Sequence, residues 1–234
     1  MDSNLPSLGS KTSDRIAAVL RSIASTIPFA GGLLTEIINE LIPNQRIDRV
    51  ERFLLALASE LHHAGNLAGL PTSQGPKLEL FESGLRAASQ TSISVKILYL
   101  AKCVASGLSQ DEGEAIRVQR IMRIISELDP EEMTVLLSYT KRSFSDAQEF
   151  REQHATVFDI PTLVLGSDHT VRKRNAEYEA AERHLISLGL LAEEIRFDTK
   201  TGTAKMSIRQ AEKDIDLTMV GRQVLNYAGL TEEI

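Results

Sequence analysis

Between Ile47 and Leu61 the apolar residues Ile47, Val50, Leu54, Leu57 and Leu61 step by 3, 4, 3 and 4, with Phe53 beside them. An α-helix, at about 3.6 residues per turn, gathers such positions on one face. Arg46, Asp48, Arg49, Glu51 and Arg52 take the opposite face. The seam runs for about two heptads, short for a free-standing coiled coil but sufficient for a helix packed on other helices or on a second copy. The same spacing recurs along most of the chain. Ile16, Val19, Leu20 and Ile23 follow Ser13, and Leu33, Leu34, Ile37, Ile38, Leu41 and Ile42 follow the Gly31-Gly32 break. Leu78, Phe81, Leu85 and Ala88 form a further stripe. Ile93, Ile97, Leu100, Val104 and Leu108 form another, with a break expected at Gly107. Val118, Ile121, Ile125 and Leu128 continue the series, so that from Ser13 to Phe158 the chain reads as helix after helix.

Start and stop signals divide this run. Ser109 precedes Glu112, and Ser145 precedes Gln148, by the three residues of a capping box. Asp129-Pro130-Glu131-Glu132 is a fuller signal: Asp129 caps, Pro130 takes the first helical position, and Glu132 reaches back. Leu128 and Met133 are spaced as a hydrophobic staple across it. Residues 64–76 hold three Gly and two Pro and read as a linker. The expected organisation is a flexible tail over 1–12, N-terminal amphipathic helices over 13–63, the linker, a helical core over 77–128, and a C-terminal module over 129–234.

The last third changes character. Thr170–Leu188 reads as a helix stopped by Gly189 in a left-handed conformation. Two strand-like runs follow, Glu194–Phe197 and Ala204–Arg209, joined by a turn over 198–202, and a helix Leu217–Ala228 behind Asp216 closes at Gly229. The fold class expected is mainly α: a helical bundle followed by a winged-helix-like C-terminal module with one β-hairpin. Leu185-Ile186-Ser187-Leu188-Gly189-Leu190-Leu191, then Leu217-Thr218-Met219-Val220-Gly221-Arg222-Gln223-Val224-Leu225 and Gly229-Leu230, resemble the closing end of bacterial winged-helix proteins. There a helix ends in LxxLGLL, a β-wing follows, and LTxxGRxLLxxxGL forms the last helix. The whole chain resembles uncharacterised bacterial helical proteins and, more loosely, the Abi-alpha abortive-infection family, which joins amphipathic helices to such an end. That resemblance implies an interaction or regulatory role in phage defence. This chain departs from the winged-helix pattern between Lys141 and Thr170, where a long segment replaces a compact helix-turn-helix.

Charge argues against one common use of such a module. The net charge is −6, but residues 1–108 carry 10 Lys and Arg against 9 Asp and Glu, whereas 109–234 carry 16 against 23. The C-terminal half is therefore net −7, where a nucleic-acid binder concentrates positive charge. Its one dense basic cluster, Val171-Arg172-Lys173-Arg174-Asn175, opens the helix that would occupy the recognition position. Arg172, Lys173, Arg174 and Asn175 are thus the candidate nucleic-acid contacts. Glu177, Glu179 and Glu182 follow at once and repel phosphate. Arg117, Arg120 and Arg123 share a helix face and form the candidate contact for an acidic partner, although Glu114 and Glu127 are spaced to pair with Arg117 and Arg123.

Enzyme chemistry finds no footing. GxxxxGK[ST], GxGxxG, GxSxG and HExxH are absent from the sequence. Gly166-Ser167-Asp168-His169 sets nucleophile, acid and base types side by side, which is not triad geometry, and reads as a loop and helix cap. His154 falls on an apolar face with Phe150 and Val157, as a hydrogen-bonded boundary histidine. The lone Cys103 sits between Leu100 and Val104, a buried-thiol position that excludes an internal disulfide. The stretch 16–42 is interrupted by Arg21, Pro28, Glu36 and Glu40, so neither a spanning helix nor a basic membrane-surface helix is favoured. No targeting signal is expected at the start, which places the protein in the cytoplasm. No cofactor or metal is expected. The function expected is non-enzymatic: self-association through Ile47, Val50, Leu54, Leu57 and Leu61, or binding of a protein partner. A DNA-binding regulator and a membrane-active defence protein are the alternatives.

Overall fold

The computed structural model describes residues 46–64, 75–194 and 214–231. The expected tail, the helices before Arg46, most of the linker, the turn over 198–202 and the strand Ala204–Arg209 lie outside them. Among the described residues the protein is mainly helical, with one two-stranded antiparallel pair near the C-terminus. It divides into two compact units. One is the described part of Met1–Glu127 with Tyr227–Gly229, and the other is Leu128–Asn226 with the residues from Leu230.

The first unit is a bundle of α1 (Ile47–His63), α2 (Pro76–Gln90), α3 (Ser94–Ser109) and α4 (Glu112–Glu127). Helix α3 packs on the other three, and α2 also lies against α4 and α1. Phe53, Leu57, Leu80, Leu85, Leu100, Val104 and Val118 are wholly buried. Each such side chain contributes roughly 1.5–3 kcal/mol. The structure corrects the reading of the heptad seam as a surface between copies. Ile47, Val50, Leu54, Leu57 and Leu61 are at most 6 % exposed, because α2 and α3 cover that face within the chain. The segment 64–76 likewise separates helices of one unit, not two domains.

Gly107 does not break its helix. It lies inside α3 at a close crossing, where an added Cβ would run into Leu80 and approach Val118 to 3.0 Å. Gly84 plays the same part in α2, facing Val104 and Phe53. Small residues here let helix axes approach closely enough to exclude voids. The start of α4 is capped by Asp111, whose Oδ1 accepts from the Glu114 amide at 2.9 Å. Ser109 instead turns its hydroxyl back to the Ala105 carbonyl at 2.8 Å and ends α3.

The second unit contains α5 (Pro130–Ser138), α6 (Phe144–Gln153), α7 (Ala155–Phe158), α8 (His169–Ser187), β1 (Leu191–Glu194), β2 (Asp214–Leu217) and α9 (Met219–Tyr227), the last residue of which counts with the first unit. The capping box at Asp129 forms in full. The Glu132 amide donates to Asp129 Oδ1 at 2.8 Å and the Asp129 amide to Glu132 Oε2 at 2.9 Å, while Leu128 and Met133 are both buried. The α6 cap is Ser143, two residues before the expected Ser145: its Oγ accepts from the Asp146 amide at 3.2 Å.

Gly189 ends α8 at φ +71, with its amide on the Ile186 carbonyl and the Leu190 amide on that of Leu185, both at 2.9 Å. This is a Schellman stop. It delivers Leu191 directly into β1, which pairs with β2 in the register Leu191↔Leu217 to Glu194↔Asp214. The described strands therefore flank the sequence-expected runs, sharing only Glu194 with them. Leu217 belongs to β2, and Thr218, whose hydroxyl accepts from the Gly221 amide at 3.0 Å, caps the last helix in place of Asp216.

Candidate functional site

The long segment between Lys141 and Thr170 builds an aromatic cluster and a groove in the second unit. Phe150 on α6 is its anchor, 8 % exposed. The His154 ring stacks on it at 4.2 Å and sets Nδ1 2.9 Å from the Phe150 carbonyl, the boundary role expected of this histidine. Phe158 meets Phe150 edge-on at 5.9 Å and Tyr178 of α8 at 6.3 Å. Apolar rings packed in this way fix α6 against the single turn of α7.

Beside that cluster lies a groove of about 480 Å³, lined by the apolar Phe144, Ala147, Ala155 and Phe158 and equally by Gln148, Arg151, Glu152 and Asp159. Phe144 is 86 % exposed. Arg151 lies over the Phe158 ring at 5.9 Å, so its charge remains at the groove's edge. Beyond Asp159 the chain leaves α7 as a loop through Leu163, Val164 and Leu165, all three exposed. The loop is tied down. Arg174 Nη2 donates to the Thr156 carbonyl at 2.6 Å, and Asn175 Nδ2 donates to the Pro161 carbonyl at 2.9 Å and to that of Val171 at 2.9 Å. Ser167 Oγ accepts from the Val164 amide at 2.8 Å, and Asp168 caps α8 by accepting from the Val171 amide at 2.9 Å.

These bonds redefine the basic cluster. Arg174 and Asn175, read as base or phosphate contacts, are spent on the backbone of residues 156–161. Arg172 and Lys173 stand exposed at the start of α8, with Lys173 Nζ 3.6 Å from Glu177. Arg117, Arg120 and Arg123 are exposed on α4 in the other unit. Arg117 pairs with Glu114 at 2.9 Å, as its spacing implied, and Glu114 also accepts from the Tyr227 hydroxyl. Among the described residues no ion pair joins Arg123 to Glu127.

Two pairs of titratable groups in the second unit are committed to structure. Tyr139 donates to Glu182 Oε1 at 2.7 Å, and His184 Nδ1 lies 2.6 Å from Glu132 Oε1. Burial, with the nearby Glu182 charge, pushes the Tyr178 phenol up to about 12 and the Tyr139 phenol higher still. Both stay protonated and act as donors, not bases. In the first unit, burial holds the Cys103 thiol far above its ordinary range, which removes the thiolate a nucleophile needs. No group of three or more His, Cys, Asp or Glu among the described residues is arranged to hold a metal ion. No described helix is long and apolar enough to cross a membrane. No family model, curated protein or solved structure matches the chain.

The loop and cap expected at Gly166–His169 form, but neither the groove nor the exposed Leu163–Leu165 tip was expected from the sequence. Phe144 follows the Ser143 cap and falls outside any apolar stripe, and only the charge-free run Ile160–Ser167 marks the loop.

Proposed function

We propose that this chain is a non-enzymatic interaction protein of cytoplasmic type that docks an apolar, uncharged protein segment in the groove of α6 and α7. One observation carries the reading: Phe144 stands 86 % exposed at a formed concavity of about 480 Å³ walled by alanine and phenylalanine. An exposed aromatic at a preformed apolar cleft marks a recognition surface. Two further features support it. The groove's neighbours His154, Tyr178 and Arg174 are occupied by packing or hydrogen bonds. Arg174 and Asn175 would have to abandon the loop before touching nucleic acid, which counts against the regulator alternative.

Selection of random peptides on the immobilised full chain tests the proposal. Enrichment of uncharged peptides rich in leucine, valine or isoleucine is expected, with binding lost in Phe144→Glu. Absence of enrichment, or peptides that bind Phe144→Glu equally well, would overturn it.

A further inference from the structure

We propose that the occupant of the groove is the Leu163-Val164-Leu165 tip of a second copy of this chain, each copy seating its tip in the other's groove. This rests on the docking reading above and names its partner. The tip is displayed, with Leu163 53 %, Val164 61 % and Leu165 fully exposed. Its exposure is not slack. The Ser167 amide returns to the Val164 carbonyl at 3.0 Å, Val164 donates to Ser167 Oγ, and Gly166 turns the chain at φ +93. Asn175 braces the other end at Pro161. A tip already ordered loses little conformational freedom on docking.

Ile160–Ser167 carries no ionisable residue, and Phe144, Ala147, Ala155 and Phe158 give the groove an apolar part beside its charged lining residues Arg151, Glu152 and Asp159. An uncharged segment enters such a site without burying an unpaired ion, whereas a charged one must shed its hydration. The same copy's tip does not fill the groove, since Leu165 is fully exposed with its loop tied to α8.

Area decides for reciprocity. A fully exposed large aromatic offers about 200 Å² and an aliphatic somewhat less, so Phe144, Leu163, Val164 and Leu165 together present on the order of 500 Å² per copy. One tip in one groove is a weaker contact, about half of the roughly 1,000 Å² that marks a specific interface. A two-fold exchange doubles the contact and reaches that figure, and it closes without a free tip to propagate a fibre.

Light scattering of the full chain over a concentration series, with Leu165→Glu and Phe144→Glu, tests this. A concentration-dependent dimer is expected, with its dissociation constant raised about thirtyfold or more by either substitution. Leu165→Glu retains a groove and Phe144→Glu retains a tip. An equimolar mixture should therefore recover part of the association, which two variants of one simple patch would not. Circular dichroism melts confirm folding, with Leu165→Ser in reserve if the charged variant melts early. A wild type monomeric at every concentration would overturn the exchange, as would a dimer broken by only one substitution or a mixture with no recovery. Peptide selection on Phe144 could still succeed in those cases, and the docking reading would then stand with another partner.

Discussion

Glu132 performs two tasks from one buried carboxylate, capping its own helix through Asp129 and receiving His184 at 2.6 Å from the end of α8. Losing the cap at Asp129 should cost about 1 kcal/mol, as Asp129→Ala in urea denaturation would show. Glu132→Ala should cost more, because it removes the return bond to the cap and leaves His184 without its partner, while Glu132→Gln, which keeps one acceptor oxygen in place of two, should fall between. Equal losses for Asp129→Ala and Glu132→Ala would mean that the His184 contact contributes nothing. The tyrosines make a separate prediction. The folded Tyr178 phenol lies near 12, raised first by burial and then by Glu182, against an ordinary value of 10.0. Above pH 10 the unfolded chain releases phenol protons that the folded chain retains, so stability is complete below that pH and falls as pH rises toward 12. Melting temperature followed through this range should drop, and Tyr139→Phe, which removes a second raised phenol, should flatten the decline. An unchanged slope in that variant would contradict the account.

At the scale of elements, most helices were legible because apolar residues at steps of 3 and 4 leave little alternative. The Gly189 stop was legible for a similar reason: only glycine enters φ +71 freely between Leu188 and Leu190. Gly189→Val should cost about 1–2 kcal/mol, and a variant melting like wild type would show that the turn tolerates a branched side chain. Caps were less legible. Ser109 and Ser145 have the right spacing, but Asp111 and Ser143 lie nearby and win the competition for the first amides. Gly107 was misread because sequence shows a helix-weakening residue, not the Leu80 and Val118 side chains pressed against it. The two readings differ in sign. If Gly107 were merely a weak point, Gly107→Ala would stabilise by up to about 1 kcal/mol. Overpacking predicts a loss of about 1–3 kcal/mol in chemical denaturation. Periodicity also could not tell whether the seam Ile47–Leu61 is covered by its own chain or by another, because both burials demand the same stripe. The groove and loop were hidden for a different reason: Arg174 and Asn175 reach carbonyls 14 and 18 positions earlier, a relation that no local spacing encodes.

For the molecule as a whole, charge gives the most direct prediction. Residues 109–234 carry a net −7, and the basic start of α8 is diluted by its own helix, where Glu177 meets Lys173 at 3.6 Å and Glu179 meets Arg183 at 3.1 Å. Of the four residues suited to nucleic acid, only Arg172 and Lys173 stand exposed, and the other two hold the loop. Affinity for duplex DNA comes largely from counterions released as a protein neutralises phosphates, about one per basic contact. Two exposed cations on a net-negative surface release few, and the surrounding carboxylates repel the backbone they would approach. Binding to random duplex should therefore be weaker than micromolar at moderate salt, with a shallow dependence on salt concentration. The double variant Arg172→Glu/Lys173→Glu should change it little. Fluorescence anisotropy with a labelled duplex at low and moderate salt distinguishes the cases. A sub-micromolar affinity that falls steeply with salt and vanishes in the double variant would show that the start of α8 meets DNA despite its acidic setting. It would favour the DNA-binding alternative over the docking reading.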